Sequence, residues 1–407
     1  MLVNKTKLVK IIKIETKIQW FYYLITFFIS SNLIASDFSA RIDFETEYFL
    51  QTEKYINQYK NYQYLTIIPE YYQEINSDNS FKAKLVYKKS KQNNKIDHFD
   101  IREAYFLHIE DNLELRFGVN KVFWGVVESN HIVNVINQND AIFRDTDEKL
   151  GQLMSQLSLF SDWGDIDFFI LPHFRKQEFL AAKSRPILEL SIDDENSVFQ
   201  NRYKTSYAMR FQKTIDNMDM ALSYFNGTKR QAELIFNNIK NTLVPHYSNL
   251  EQFGLETQLV SDDMLYKLEA INRKYYKFIN SSWQETHNDA LVVGFEYTDV
   301  GIFDSQYNLG YIAEYLYNSD KDDIFQDDLM LGLRLEFNNA QSSEILISSI
   351  IDTNDKSQLY NLEINHRISN NFKLKIEAKF YNIEDDNAQY TLYQDEDFIN
   401  IKLSYYY

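Results

Sequence analysis

The chain has 407 residues, a formal net charge of −17, 30 Tyr, 30 Phe and no Cys. The absence of Cys excludes disulfide scaffolds, thiolate metal sites and cysteine nucleophiles, and the acid excess disfavours nucleic acid as a partner because phosphates require a basic face. A mean hydropathy of −0.43 excludes a bundle of apolar membrane helices but is compatible with membrane strands, which are apolar only at every second residue.

The N-terminus has the order of a secretory signal. Residues 1–17 carry five Lys and one Glu, and the apolar run WFYYLITFFI follows at 20–29. This run is shorter than the ~20 apolar residues of a spanning helix, and small residues follow it, so we expect cleavage after Ala35 or Ser36. We therefore predict a signal peptide at 1–36 and one exported domain at 37–407. An uncleaved anchor is the alternative.

Apolar and polar residues alternate along most of the chain after position 40, in segments separated by stretches rich in Asp and Asn. In FKLKIEAKF at 372–380, the even-numbered residues are apolar and the odd-numbered residues are Lys or Glu. A period of two predicts strands with one apolar and one charged face. The segments are 41–50, 81–88, 113–119, 203–211, 253–259, 264–272, 291–297, 309–317, 329–337, 344–351, 360–368, 372–380 and 399–407.

The length and number of these segments favour a membrane barrel over a soluble sandwich. Many have about 9 to 11 residues, the length of a tilted strand that crosses a bilayer. At roughly one strand per 22 residues the exported domain would hold about 16 to 18 strands, and a barrel of that width has a lumen too large for side chains to fill. We therefore predict an all-β fold: a transmembrane antiparallel up-and-down β-barrel of about 16–18 strands with its charged face inside.

Tyrosines stand near the ends of several segments, as at positions 71–72, 275–276 and 405–407. Membrane barrels carry aromatic girdles at both interfaces, so we expect these side chains to face the lipid headgroups. The last segment, FINIKLSYYY at 398–407, alternates and ends in Tyr407. It resembles the C-terminal signature of bacterial outer-membrane barrels. That resemblance implies the barrel-assembly machinery as a partner.

One long stretch, 119–152, breaks the alternation. Loops of this length are usually functional or disordered, and the apolar content here favours an ordered segment folded into the lumen near 119–150. Within it, the spacing of apolar residues over Glu128–Gln138 predicts a short helix. Charged, amide and aromatic groups allow a pore to discriminate solutes. The candidate pore-lining residues are Lys121, Trp124, Glu128, His131, Asn134, Asn137, Asp140 and Arg144.

The same stretch resembles a porin-like family of outer-membrane barrels from Gram-negative bacteria. RFGVNKVFWG at 116–125 ends in a Trp-Gly pair, and VINQND at 135–140 is similar to the inner segment of that family. Further pieces, such as ILPHFR at 170–175, extend the resemblance from about Arg102 to Tyr407. Gln138-Asn139 stand where many members carry a proline. The resemblance implies a porin-like architecture in the outer membrane.

These features predict a channel and no catalysis. The expected function is passive diffusion of small hydrophilic solutes through a polar lumen narrowed by 119–147, with a mild preference for cations from the acid excess. The expected partners are these solutes, outer-membrane lipid and lipopolysaccharide. The seven His residues lack metal-ligand spacing, so we predict no metal site, cofactor or catalytic residue.

Two alternatives remain open. The first is a structural or adhesion barrel whose lumen is plugged by the 119–150 segment, or equally a barrel in which that segment is a solvated loop. The second is an outer-membrane lipid hydrolase, because His246 and Ser248 resemble the His-x-Ser element in which a histidine activates a serine. No flanking resemblance supports catalysis, so the channel is the leading prediction.

Overall fold

The structure is a computed structural model that describes residues 36–56, 58–143, 148–180, 183–384 and 391–407. The predicted signal peptide lies outside these residues except for Ser36. Arg144, one of the candidate pore-lining residues, also lies outside them.

The described residues contain twenty-one strands and four 3₁₀ turns. In chain order the strands are β1 (Ser36–Phe49), β2 (Asn61–Asn76), β3 (Asn79–Ser90), β4 (His98–Glu110), β5 (Leu113–Asn120), β6 (Gln152–Leu159), β7 (Asp165–Leu171), β8 (Val198–Phe199), β9 (Ser206–Ile215), β10 (Met218–Thr228), β11 (Glu233–Asn237), β12 (Thr242–Tyr247), β13 (Asn249–Ser261), β14 (Met264–Ile279), β15 (Ser282–Val300), β16 (Asn308–Asn318), β17 (Asp327–Glu336), β18 (Glu344–Asp352), β19 (Gln358–Arg367), β20 (Phe372–Asn382) and β21 (Phe398–Tyr406). The 3₁₀ turns are Asn94–Ile96, Asp194–Asn196, Ile302–Asp304 and Thr391–Tyr393. Within the described ranges, no helix is long and apolar enough to cross a bilayer.

Eighteen of these described strands form one closed antiparallel barrel, in which each strand pairs with its neighbours along the chain. The first strand closes the barrel by pairing with the last, from Arg41 opposite Tyr406 to Phe49 opposite Phe398. The other three, β8, β11 and β12, form a small separate sheet. The prediction of an all-β, antiparallel up-and-down barrel of 16–18 strands is therefore confirmed.

The period-2 pattern separates an outer from an inner face. On β17, Leu331 and Leu333 are exposed on the outside, whereas the intervening positions face inward and Met330 is buried. Alternation of side chains along a strand thus places the apolar residues on the outer surface. The girdle prediction is wrong for Tyr275, which points into the barrel, is buried and donates a hydrogen bond to Asp320.

The start of β1 and the end of β21 lie at one end of the barrel, called here the turn end, and the longest connections lie at the other, called the loop end. The inner segment comprises the described residues 121–143 and 148–151, between β5 and β6. The strap comprises the described residues 172–180 and 183–205, between β7 and β9.

The largest apolar cluster lies inside the barrel, between the inner segment and one side of the wall. Trp124, Val133 and Ile136 of the segment belong to the same cluster as the inward-facing Phe169 of β7 and Phe225 of β10. This side of the lumen wall therefore packs apolar side chains against the segment and is covered by it. The partly exposed charged lining predicted from the strands applies to the opposite side.

The predicted helix over Glu128–Gln138 is wrong, because this stretch consists of turns and bends. A helix would satisfy most of its backbone N–H groups internally. Here the N–H groups of Glu128, Ser129 and Val133 instead donate to carboxylates of the barrel wall. Wall contacts thus override the local helical spacing.

Candidate functional site

The base of the inner segment is fastened by Asn137. Its amide oxygen accepts the backbone N–H of Val122 at 2.9 Å, and its amide nitrogen donates to the carbonyls of Asn120 and Leu150, each at 2.9 Å. These bonds join the end of β5 to the residues that precede β6. Because the side chain is 2% exposed, the bonds are shielded from water and hold the two ends of the segment together.

The two residues of the Trp-Gly pair have different structural roles. Trp124 is buried and meets the ring of Phe169 edge to face, with 5.9 Å between centroids, which anchors the segment to β7. Gly125 has a φ of +132°, and a Cβ there would lie 2.5 Å from His131 Nδ1 and 2.8 Å from Glu269 Oε1. The glycine therefore allows the backbone to approach a wall carboxylate that any side chain would push away.

Glu269, buried on β14, is the central anchor of the segment backbone. Its carboxylate accepts the N–H groups of Val126, Val127 and Val133, at 2.7, 3.2 and 3.3 Å. Burying a carboxylate is costly unless hydrogen bonds compensate. Three converging N–H groups provide that compensation and fix the path of the segment at the same time.

Two further buried carboxylates extend this anchoring along the wall. Glu256 of β13 accepts the N–H of Gly125 at 3.0 Å and pairs with Arg210 of β9, also at 3.0 Å. Glu314 of β16 accepts the N–H and the hydroxyl of Ser129, at 2.8 and 2.5 Å. Through its backbone the segment is therefore bound to three strands of the wall, in addition to the contact of the Trp124 side chain with β7.

Wall and loop cations complete the anchoring by binding segment carbonyls. Arg273 of β14 donates to the carbonyl of Ile132 at 2.7 Å, and Arg230 of the 229–248 connection donates to that of Ile136 at 2.9 Å. Burial lowers the pKa of the Arg230 guanidinium to about 9. The guanidinium still carries its charge at neutral pH. In place of water, it contacts the segment carbonyls and the rings of nearby aromatic residues.

The edge of the segment that faces the free lumen carries Glu128. Its carboxylate pairs with Lys267 of β14 at 3.2 Å and with Arg334 of β17 at 2.9 Å. Burial opposes ionisation, but these two cations outweigh it and hold the pKa of Glu128 below its usual value. With 27% of its side chain exposed, Glu128 joins a charged cluster that a passing solute can reach.

A second charged cluster lies where the inner segment meets β4. Asp140 of the segment is buried and pairs with Arg102 and His98 of β4. Burial opposes ionisation, but the nearby His98, with Nε2 3.3 Å from the carboxylate, and the charge of Arg102 outweigh it and lower the pKa of Asp140 to about 2. Asp140 is therefore ionised over the whole physiological range and ties the segment to the wall.

The structure describes seven of the eight candidate pore-lining residues and separates them by burial. The residues with partly exposed side chains are Lys121, Glu128 and His131. The residues buried between the segment and the wall are Trp124, Asn137 and Asp140. The amide of Asn134 is enclosed and makes no hydrogen bond within the described residues.

Sequence reasoning missed the wall residues that complete the site, above all Glu269, Glu314, Lys267 and Arg334. Each occupies an ordinary polar position of an alternating strand, so nothing in the pattern separates an anchor from a solvated lumen charge. The one available signal is their inward orientation, which follows from strand register once the outer face is assigned.

The wall opposite the inner segment is charged and partly exposed. On β2 and β3, Glu70 pairs with Lys82 and Lys84 at 3.2 Å, and 25 to 32% of each of these side chains is exposed. On β19 and β20, Glu363 pairs with Lys375 at 3.0 Å with similar exposure. These inward-facing groups are partly exposed, in contrast to the buried groups on the covered side.

His246 and Ser248, the basis of the hydrolase alternative, lie at the loop end. Both are buried, and His246 packs against Phe278 and Trp283, with ring centroids 4.5 and 5.9 Å apart. Its Nδ1 lies 3.0 Å from the carbonyl of Val244. The described contacts of the imidazole thus engage aromatic rings and a backbone carbonyl.

The fold is similar to that of three solved outer-membrane porins. OccAB1 of Acinetobacter baumannii has a TM-score of 0.57 at 8% identity, covering 91% of this chain and 96% of that one. OccD3 of Pseudomonas aeruginosa has a TM-score of 0.53 at 8% identity, covering 92% of this chain and 91% of that one. OccK5 of the same species has a TM-score of 0.53 at 9% identity, covering 91% of this chain and 97% of that one. No protein-family model and no curated protein matches the sequence. Identities this low establish a shared porin-like fold and nothing about the solute.

Proposed function

We propose that the chain is a porin-like channel of the outer membrane through which small hydrophilic solutes diffuse. The observation that carries this proposal is the partial exposure of inward-facing charges opposite the inner segment, such as Lys82, Glu70, Lys375 and Glu363. A charged side chain inside a barrel needs either close polar partners or water, and these groups are ion-paired and also partly exposed. A continuous wall of such groups supports a water-filled path beside the segment.

In this proposal the inner segment narrows the path from one side. Glu128 with Lys267 and Arg334 forms the charged edge, and Lys121 and His131 add to it, because these groups are partly exposed. The remaining members of the predicted set act indirectly. Trp124, Asn137 and Asp140 hold the segment in place, and Asn134 lies enclosed within it.

The proposal also includes the cellular context. An apolar outer face suits lipid on all sides, in keeping with a membrane that also holds lipopolysaccharide. Export through the signal peptide at 1–36, and recognition of β21 with Tyr407 by the barrel-assembly machinery, belong to the same proposal. Deleting Tyr407 is expected to reduce insertion without changing the channel that does insert.

Conductance of the purified protein in planar bilayers tests the channel, with heat-modifiable gel mobility as the check of folding. We expect defined single-channel steps, and larger steps in a variant that lacks 127–140. A variant lacking 237–241, at the tip of the β11–β12 hairpin, is the matched control and should conduct like the parent. A folded parent without conductance would favour the structural or adhesion barrel. Equal steps in parent and 127–140 variant would refute the constriction.

A further inference from the structure

The third strand and the connection that follows it form a basic stretch in an acidic chain. From Asn79 to Ile96 every charged residue is a lysine, at positions 82, 84, 88, 89, 91 and 95. The first acid after this stretch, Asp97, accepts the backbone N–H of Ser90 at 3.0 Å. The whole chain has 59 acidic and 42 basic residues, so positive charge is concentrated here against the overall composition.

Strand register divides these lysines between the two faces of the barrel. Lys88 faces inward, is buried and pairs with Glu45 at 3.1 Å. Lys89 faces outward and is exposed, as are Lys91 and Lys95 in the connection. Within the described part of the chain, these three exposed lysines have no carboxylate at ion-pair distance. The wall therefore balances the inward charge and leaves the outward charges available.

The outer face of β3 changes from aliphatic to aromatic to charged towards the loop end. Leu85 is followed on that face by Tyr87, which is 40% exposed, and then by Lys89. Lys91 stands one step further and donates to Oε1 of Gln63 at 2.9 Å. In membrane proteins tyrosines mark the level of the lipid headgroups, and lysines extend their ammonium groups towards the polar side. This order places the exposed lysines at the headgroup level.

A further lysine reaches the same surface from the start of β2. The Nζ of Lys60 lies 5.3 Å from the centroid of the Tyr48 ring, which is 42% exposed on the outer face of β1. Tyr48 stands opposite Asn61, and Gln63 lies two residues beyond Asn61 on the same face. The four cations of this surface, called here the basic rim, are Lys60, Lys89, Lys91 and Lys95.

Tyrosines elsewhere on the outer face have acidic partners. Tyr224 of β10 donates to Glu251 at 2.7 Å, and Tyr315 of β16 donates to Asp327 at 2.6 Å. Lys274 of β14 also faces outward, but its charge is paired with that of a glutamate at 2.8 Å. At the basic rim the tyrosine instead contacts an ammonium group, so this side of the barrel differs in the sign of its available charge.

The strap holds the two lysine-bearing connections in place from the lumen side. Ser184 accepts a hydrogen bond from the amide of Asn93 at its hydroxyl, at 3.3 Å, and one from Gln58 at its carbonyl, at 2.8 Å. Tyr62, at the start of β2, donates to the carbonyl of Lys183. These contacts fix the backbone that carries the lysines. A ligand of the basic rim therefore has little backbone to order, which favours its binding.

We propose that the basic rim binds the phosphate groups of lipopolysaccharide. Ammonium groups form charge-assisted hydrogen bonds with phosphate, and the exposed tyrosine rings below them contact the apolar part of the lipid. The longer connections of membrane barrels face the cell exterior, which places the rim in the leaflet that holds lipopolysaccharide. A lysine binds phosphate directly, whereas a carboxylate needs a divalent cation as a bridge. The inference rests on the outer-membrane location in the proposed function and gives its lipid partner a site.

Binding of fluorescently labelled lipopolysaccharide to the folded barrel tests the basic rim. The chain is refolded from urea in detergent, which leaves it free of bacterial lipid, and EDTA removes divalent bridges throughout. Fluorescence anisotropy then gives the Kd. We expect the parent to bind, and the double variant Lys89→Gln/Lys91→Gln to raise the Kd about 30-fold, as removal of two cations near a charged lipid surface requires.

Two matched variants separate the site from the total charge. Lys274→Gln/Lys356→Gln removes the same charge from exposed positions elsewhere at the loop end and should bind like the parent. Lys89→Arg/Lys91→Arg keeps the charge and should retain the affinity. Heat-modifiable gel mobility checks that each variant is folded. Lipopolysaccharide stripped of its phosphates should bind the parent as weakly as the intact lipid binds Lys89→Gln/Lys91→Gln.

Three results would overturn the basic rim as a lipid site. The first is an equal Kd for the parent and folded Lys89→Gln/Lys91→Gln, and the second is an equal loss of affinity in both double glutamine variants. The third is displacement of the lipid by an equal concentration of inorganic phosphate, which would assign the rim to free phosphate. Because no current is measured, a barrel that binds the lipid but does not conduct would refute the proposed channel alone.

Discussion

The carboxylate of Glu269 accepts the backbone N–H of Val126 at 2.7 Å, in the shortest of the three backbone contacts by which this one side chain holds the inner segment against β14. Glutamine keeps the size of the side chain but loses the charge and presents N–H groups to N–H groups. We expect Glu269→Gln to weaken docking of the segment by about 2 kcal/mol, the usual scale for hydrogen bonds to a buried charged group.

Single-channel recording checks this prediction, because a loosened segment should give larger or fluctuating current steps. Glu285→Gln is the matched control, since this side chain is 43% exposed at the tip of the β14–β15 hairpin and should leave the steps unchanged. Steps in Glu269→Gln as uniform as those of the parent would show that the segment does not depend on this carboxylate.

Gly125 gives a steric test of the same contact. Gly125→Ala places a Cβ 2.8 Å from the Glu269 carboxylate at a φ of +132°, so both the contact and the backbone are strained. We expect the free energy of unfolding to fall by about 1–3 kcal/mol. The temperature at which the folded band is lost on heat-modifiable gels should fall accordingly. Gly332→Ala on β17 also adds an inward methyl group, but at ordinary contact distances of 3.4 Å and more, and should be tolerated. Equal stability of the two variants would contradict the close approach of the Gly125 backbone to Glu269.

Much of the barrel could be predicted from the sequence because its outer face must be apolar. The alternation over 372–380 and 329–337 corresponds to β20 and β17, and the break at 119–152 marks the inner segment. The alternation of apolar and polar residues did not predict β7 and β10. There Phe169 and Phe225 face inward and pack against the segment, so both faces are apolar and period 2 disappears.

The anchoring of the segment could not be predicted for a related reason. Apolar spacing over Glu128–Gln138 favours a helix only if the backbone bonds to itself, and the wall carboxylates compete for the same N–H groups. Glu314 has no feature in the sequence that separates it from a solvated charge, because its role depends on a partner 185 residues away, Ser129. Long-range register determines such roles.

Protonation of Asp140 at low pH is expected to weaken the docking of the inner segment. Its pKa is lowered from 3.8 to about 2, so the ionised form contributes about 2 kcal/mol above pH 4 that is lost as the pH falls towards 2. We expect pepsin to cut the inner segment much faster at pH 2 than at pH 4. Asp140→Asn should be cut rapidly at both pH values, whereas Asp162→Asn, at an exposed turn, should behave like the parent. Cleavage of the parent at equal rates would contradict the role of the charge.

Glu128 gives a prediction for ion selectivity, because it is the partly exposed carboxylate between Lys267 and Arg334. Removing its charge leaves Lys267 and Arg334 with Glu296 as their remaining carboxylate partner, and raises the local potential felt by a passing ion. We expect Glu128→Gln to shift the reversal potential in a salt gradient towards anions, starting from the mild cation preference predicted for the parent. The shift should shrink at high ionic strength, where the Debye length falls to about 3 Å at 1 M. Glu110→Gln, at an exposed turn with 68% of its side chain accessible, removes the same charge away from the constriction and should not shift the potential. Equal shifts in both variants would mean that the total charge, and not the edge of the inner segment, sets the selectivity.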